Sequence, residues 1–142
     1  MSKELLKEWI EDGWLKGNQS TIDKILPAYF SVPDFSNKES FPKSDFAELV
    51  SLFRRITGPG QINLKNLIED PPWFAAKFLL TSRPPENAGP VKIDVMLLAK
   101  FEDGVMTEHH TAFDYFSLFS QLGQLPPNAM EHCLTGERLT WI

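Results

Sequence analysis

Residues 101–123 read FEDGVMTEHHTAFDYFSLFSQLG. Asp103-Gly104 stands between two runs rich in apolar and β-branched residues, the setting in which Asp-Gly marks a two-residue hairpin turn. Strands are therefore expected from Val91 to Phe101 and from Val105 to Phe113. If Asp103 and Gly104 form the loop, Glu102 faces Val105 and all further pairs follow in step. Met106, Glu108, His110, Ala112 and Asp114 then share a face with Phe101, Ala99, Leu97, Val95 and Ile93. Val105, Thr107, His109, Thr111 and Phe113 share the other, more polar face with Lys100, Leu98, Met96 and Asp94. The first face should meet the core, which puts three ionisable groups on an interior surface. An unpaired charge is costly there, so Glu108, His110 and Asp114 are candidates for chemistry.

Alternate residues on a strand lie roughly 7 Å apart and residues four apart roughly 13 Å, so His110 and Asp114 cannot form a tight pair. A small ligand would lie between them, with one group moving a proton and the other holding an oxygen. Each residue also has a plain structural reading. Asp114 can cap the helix expected from Tyr115 to Leu122, His110 can be a satisfied core or rim histidine, and Glu108 can reach water near the hairpin tip. His109 should point away from the pocket. Adjacent histidines on a strand face opposite ways and no ligand triad has a clear spacing, so no metal is expected.

Outward from this hairpin, Gly123 and Pro126-Pro127 close the last helix. Upstream, Gln61–Asp70 carries Ile62, Leu64 and Ile68 on one side and reads as a strand, as does Trp73–Arg83 after the Pro71-Pro72 break. Residues 84–90 are a loop by their Pro, Asn and Gly content. Three helices precede the strands. Leu6, Trp9, Ile10 and Trp14 fall at helical spacing between Ser2 and Lys16; a short helix starts at a Ser20 cap and stops near Pro27; Phe46, Leu49, Val50, Phe53 and Ile56 form a stripe entered through Pro42 and Ser44 and ended by Gly58-Pro59-Gly60. The stretch from Ala28 to Ser40 reads as irregular or briefly extended. Helices first and antiparallel strands second imply an α+β fold, the helices packed on one face of a curved sheet.

A chain of 142 residues, 42% hydrophobic and 12% aromatic, suits one domain spanning 1–142 with a sizeable core. A net charge of -5 with no basic cluster beyond Arg54-Arg55 argues against nucleic acid as a partner. No apolar run resembles a signal peptide or a membrane span, and the lone Cys133 fits a reducing compartment, so a cytoplasmic protein with a buried or half-buried spectator thiol is expected. The aromatic residues Trp9, Trp14, Phe53, Trp73, Phe74 and Phe78 are mostly core. A pocket walled by Trp9, Trp14, Phe53, Val95 and Leu97 would suit an aromatic or polycyclic ligand.

The order of elements and the matches Glu102-Asp103-Gly104, Glu108, His110, Asp114 and Gln121-Leu122-Gly123 resemble the SnoaL-like, polyketide-cyclase-like branch of the ketosteroid-isomerase or nuclear-transport-factor-2-like superfamily, over nearly the whole chain from Trp9. The resemblance implies a cone-shaped α+β barrel, a curved sheet wrapped around the N-terminal helices, with a cavity at its wide end. It implies that Asp114 is the general acid/base of a cofactor-free aldol cyclisation, isomerisation or dehydration of an apolar carbonyl compound, with His110 orienting the ligand and Glu108 a third candidate. It also implies a homodimer through the outer sheet face. The alternative is a non-catalytic small-molecule-binding or dimerisation module of the same fold. An epoxide hydrolase would want an Asp-Arg-Asp set, and the expected interior of the hairpin has no Arg. Residues 83–90 and the tail ending in Glu137–Ile142 depart from the family pattern and alter access to the cavity.

Overall fold

In the computed structural model, which describes residues 2–30, 41–86 and 89–140, the N-terminal apolar spacing folds as helix. Ser2–Glu8 is α-helical (α1) and runs directly into a π-helical stretch, Trp9–Leu15. Gly13 lies under the Trp9 ring, where a Cβ would come within 2.5 Å of Cε3, so the absence of a side chain lets the indole lie flat along the wide turn. Leu6, Trp9 and Ile10 are buried. The second helix, α2 (Gln19–Ile25), is capped one step earlier than expected: Ser20 is inside it, and Asn18 Oδ1 accepts from the Ser20 N–H. Two short strands, β1 (Tyr29–Phe30) and β2 (Phe41–Pro42), pair antiparallel; the irregular segment expected between them lies outside the described residues. Then α3 (Lys43–Thr57) buries Phe46 and Val50 and sets Arg54 and Arg55 in its last turn, where cations suit the helix dipole.

The sheet has the order β3 (Gly60–Asp70), β4 (Trp73–Ser82), β5 (Val91–Glu102), β6 (Val105–Phe113), all antiparallel. Asp103 and Gly104 both have positive φ, the conformation a two-residue turn of this hand requires. Burial alternates along β4 and β5: Phe74, Ala76, Phe78 and Leu80 face inward, as do Val91, Ile93, Val95, Leu97, Ala99 and Phe101. The N-terminal helices pack on that face through Trp9, Ile10, Ile22, Ile25 and Phe46, giving an α+β fold with an open curved sheet. After β6 come α4 (Tyr115–Gln121) and α5 (Ala129–Leu134). Gln121 ties α4 to the sheet: its Oε1 accepts from the Lys92 N–H at 3.0 Å and its Nε2 donates to the Lys92 carbonyl at 2.9 Å. Among the described residues no helix is long and apolar enough to cross a membrane.

Two register shifts correct the expected faces. On β3, Leu64 pairs with Phe78 but Asn66 pairs with Lys77, leaving Lys65 as an extra residue. Leu67 rather than Ile68 then turns inward, and Ile68 is 63% exposed. On β6, Phe101 faces Met106 as expected, but Lys100 faces Glu108, and Thr107 is bulged out. From there the parity of β6 reverses. His109, expected outside, is 0% exposed, whereas Glu108, His110 and Ala112, expected inside, take the outer face. Cys133 is exposed rather than buried, because α5 buries Ala129 and leaves its other side chains in solvent; Leu134 is 78% exposed.

Gly13→Ala tests the packing of the first helix. The new methyl would strike the fully buried Trp9 ring, and overpacking of this kind should lower unfolding stability by about 1–3 kcal/mol in a denaturant titration, without loss of helix content.

Candidate functional site

The stripe on α3 faces the end of β6 across a cavity of about 370 Å³. Its α3 wall is Phe46, Leu49, Val50, Leu52, Phe53 and Ile56; Trp14 closes one side, and Thr111, Phe113 and Tyr115 form the opposite wall. Three aromatic rings meet here. Trp14 and Phe53 lie 6.1 Å apart, Trp14 and Phe113 6.1 Å, and Phe53 and Phe113 5.1 Å in an edge-to-face arrangement. Trp14 also sets its edge on Phe78 of the core, which fixes the indole. Walls of rings and branched aliphatic side chains favour a flat apolar ligand.

Of the side chains expected on the pocket wall, Trp14 and Phe53 are there. Trp9 is one layer deeper, packed against Phe46 with centroids 5.0 Å apart, and its Nε1 has no hydrogen-bond partner among the described residues. Val95 and Leu97 face the helices from the middle of the sheet and do not line this cavity.

The β6 bulge decides which polar groups the interior holds. His109 is enclosed by Trp9 and Phe46, with ring centroids 5.7 and 6.1 Å away, both edge-on. Thr111 Oγ1 lies 3.1 Å from its Nε2 and 3.5 Å from its Nδ1, so the hydroxyl on the cavity wall rests over the buried ring. Burial lowers the His109 pKa to about 3, the neighbouring His110 acting in the same direction, so the ring is neutral at pH 7. Sequence reasoning missed this pair because regular alternation had turned it outward. A signal was present: Met106 and Phe113 are both apolar but an odd number of residues apart, so both can face the core only across a bulge.

The three acid–base candidates do not converge. Glu108 and His110 meet each other on the outer face, with Oε1 and Nε2 3.1 Å apart, beside Trp73 and Lys100. Asp114 caps α4, its Oδ1 accepting from the Ser117 N–H at 2.9 Å. It is exposed and is not among the residues that line the cavity, although its chain neighbours Phe113 and Tyr115 are. Among the described residues no three His, Cys, Asp or Glu side chains are grouped to hold a metal.

No family model and no curated protein matches the sequence. Solved structures do match in fold. A suggested polyketide cyclase from Acidithiobacillus ferrooxidans superposes with a TM-score of 0.73 at 18% identity, over 87% of this chain and 94% of that one. A suggested SnoaL-like polyketide cyclase from Jannaschia sp. CCS1 does so with a TM-score of 0.73 at 14% identity, over 87% and 92%. A protein of ketosteroid-isomerase-like fold from Catenulispora acidiphila, in complex with trimethylamine, gives 0.68 at 10% identity, over 87% and 94%. The chain thus has the cone-shaped SnoaL-like fold its motifs resemble.

His109 gives the folded protein a characteristic pH response. Unfolded, the imidazole takes up a proton near pH ~6.5; folded, it resists protonation down to about 3. The unfolded state binds the extra proton between those values, so this contribution to stability is complete above pH ~6.5 and is lost at ~1.4 kcal/mol per pH unit on acidification. His109→Gln should show a shallower loss than wild type between pH 6.5 and 4.5 in parallel denaturant titrations, since both carry the same carboxylates.

Proposed function

We propose that the chain binds an apolar, ring-containing carbonyl compound in the cavity between α3 and β6 and moves a proton on it, using side chains alone. The observation that carries this reading is the cavity itself, about 370 Å³ walled by Trp14, Phe46, Phe53, Phe113 and Tyr115. The fold neighbours support it: several are described as suggested polyketide cyclases, and polyketides are rich in rings and carbonyls. The proton falls to Asp114, which stands in the chain between Phe113 and Tyr115, two residues of the cavity wall. Its Oδ1 is held by the helix cap and no other hydrogen bond reaches the carboxylate among the described residues, which leaves Oδ2 to act as a base. Glu108 and His110, on the outer face, have no part in this step.

A second reading, a module that binds the same ligand without reacting it, is favoured by the cap, which alone accounts for an aspartate at this position. Asp114→Asn separates the two, because asparagine keeps the cap and removes the base. With tetralones, naphthoquinones and polyketide lactones as probes, the enzymatic reading expects turnover of at least one, reduced roughly 100-fold or more in the variant with binding retained. Binding by both proteins with no turnover by either establishes the module.

We also propose that two copies pair through the outer face of the sheet. Met96 and Leu98 are 56% and 42% exposed at its centre, next to Ile68, Ala75 and Ala112. Lys77, Lys100, Asp94 and Glu102 flank them with both signs of charge, so the face can meet itself across a two-fold axis. Met96→Lys combined with Leu98→Glu should convert a dimer to a monomer in sedimentation, with the fold unchanged because both side chains are outside the core. We place the protein in the cytoplasm, where an exposed thiol such as Cys133 stays reduced.

A further inference from the structure

We propose that one water molecule is bound between Ser82 and Thr57, tying the end of α3 to the sheet behind the ring wall of the larger cavity. This site adjoins the larger cavity through Trp14 and Phe53, which line both, and does not depend on what binds there. The inward positions of β4 run Phe74, Ala76, Phe78, Leu80 and then Ser82. Packing alone would favour an apolar residue at the fifth place as well. Ser82 is 2% exposed, and its Oγ has no hydrogen-bond partner among the described residues, a costly state for a buried hydroxyl. Beside it is a cavity of about 10 Å³, into which the centre of one water molecule fits.

Thr57, the last residue of α3 and also buried, lines the same cavity. Its Oγ1 lies 3.0 Å from the Phe53 carbonyl and 3.5 Å from that of Gly58, so its proton goes to Phe53 and its lone pairs are left to accept. Arg54 borders the cavity too, but its Nη1 donates to the Lys16 carbonyl at 2.6 Å. Between two neutral hydroxyls, a small neutral molecule that both donates and accepts is what fits. Ser82 Oγ–H donates to the water, and the water donates to Thr57 Oγ1, so the buried serine gains a partner with no charge entering the core. Helix and strand are already pressed together at this corner: a Cβ on Gly58 would come within 2.2 Å of the Arg83 carbonyl oxygen. The water adds a polar tie there, one turn beyond the Phe53 that walls the larger cavity.

The test reads the sign of a substitution. Were the Ser82 hydroxyl an orphan, Ser82→Ala would delete an unsatisfied group and leave stability unchanged or raised. With the water bound, the same change removes a partner from a buried molecule and should raise the unfolding equilibrium constant about fivefold in a denaturant titration. Thr57→Val also loses the bond to Phe53, so it should destabilise by itself, yet its effect should shrink in the Ser82→Ala background because the two residues share one water. A crystal structure of the wild-type protein should show a water oxygen within about 3 Å of both Ser82 Oγ and Thr57 Oγ1. A Ser82→Ala protein as stable as wild type or more so, additive effects of the two substitutions, or no water density at that point would each overturn the assignment. Should Thr57→Val not fold, Ser82→Ala and the crystal structure decide between them.

Discussion

Thr107 occupies a place in β6 that has no partner on β5, and the character of the cavity wall follows from that extra residue. A regular ladder would have carried Glu108 and His110 toward the helices and left His109 and Thr111 in solvent. Two charged or chargeable groups would then have faced Trp9 and Phe46 with little to pair them, an arrangement costing several kcal/mol. The bulge instead sends Glu108 and His110 outward, where they pair with each other, and turns inward a neutral imidazole and a hydroxyl that lie against each other. Phe113 also reaches the interior by this route, completing the ring cluster with Trp14 and Phe53. One misaligned residue thus separates a charged surface from an apolar chamber.

The chamber depends equally on the helices. The wide π-helical turn at Trp9–Leu15 places Trp9 in the core and Trp14 on the cavity, two indoles of one helix at different depths. Phe46 and Phe53 lie two helical turns apart on α3 and both line the cavity, Phe46 touching Trp9 and Phe53 touching Trp14. The cavity is therefore walled by aromatic rings that are themselves anchored on buried rings behind them, Phe46 on Trp9 and Trp14 on Phe78.

Much of this was legible in the sequence. Helical spacing located α1 and α3, the Asp-Gly turn located the β5–β6 hairpin, and the order of elements gave the α+β class, because each rests on local chemistry that tertiary packing reinforced. Faces were legible only as far as the strands stayed regular. Ile68 and the residues after Thr107 were assigned to the wrong side for one reason: a bulge is a long-range accommodation between neighbouring strands, and simple alternation has no term for it. In both strands the apolar residues gave a hint, Leu64 with Leu67 and Met106 with Phe113 standing at odd spacings. The short helix α5 was missed because most of its residues, Leu134 among them, lack the buried contacts that give a helix its periodic signature.

The contact between Gln121 and Lys92 has a consequence for how the sheet meets other chains. A carboxamide carries the same donor and acceptor as a peptide group, and here it fills the slot on β5 that opens where β6 has ended. A foreign strand finds that corner already occupied. At the opposite margin, Lys65 sits at the bulge of β3 and breaks the regular row of N–H and C=O groups along that border. With the β5 corner filled and the β3 border interrupted, strand addition at those two places is disfavoured, and runaway edge-to-edge growth has less to build on.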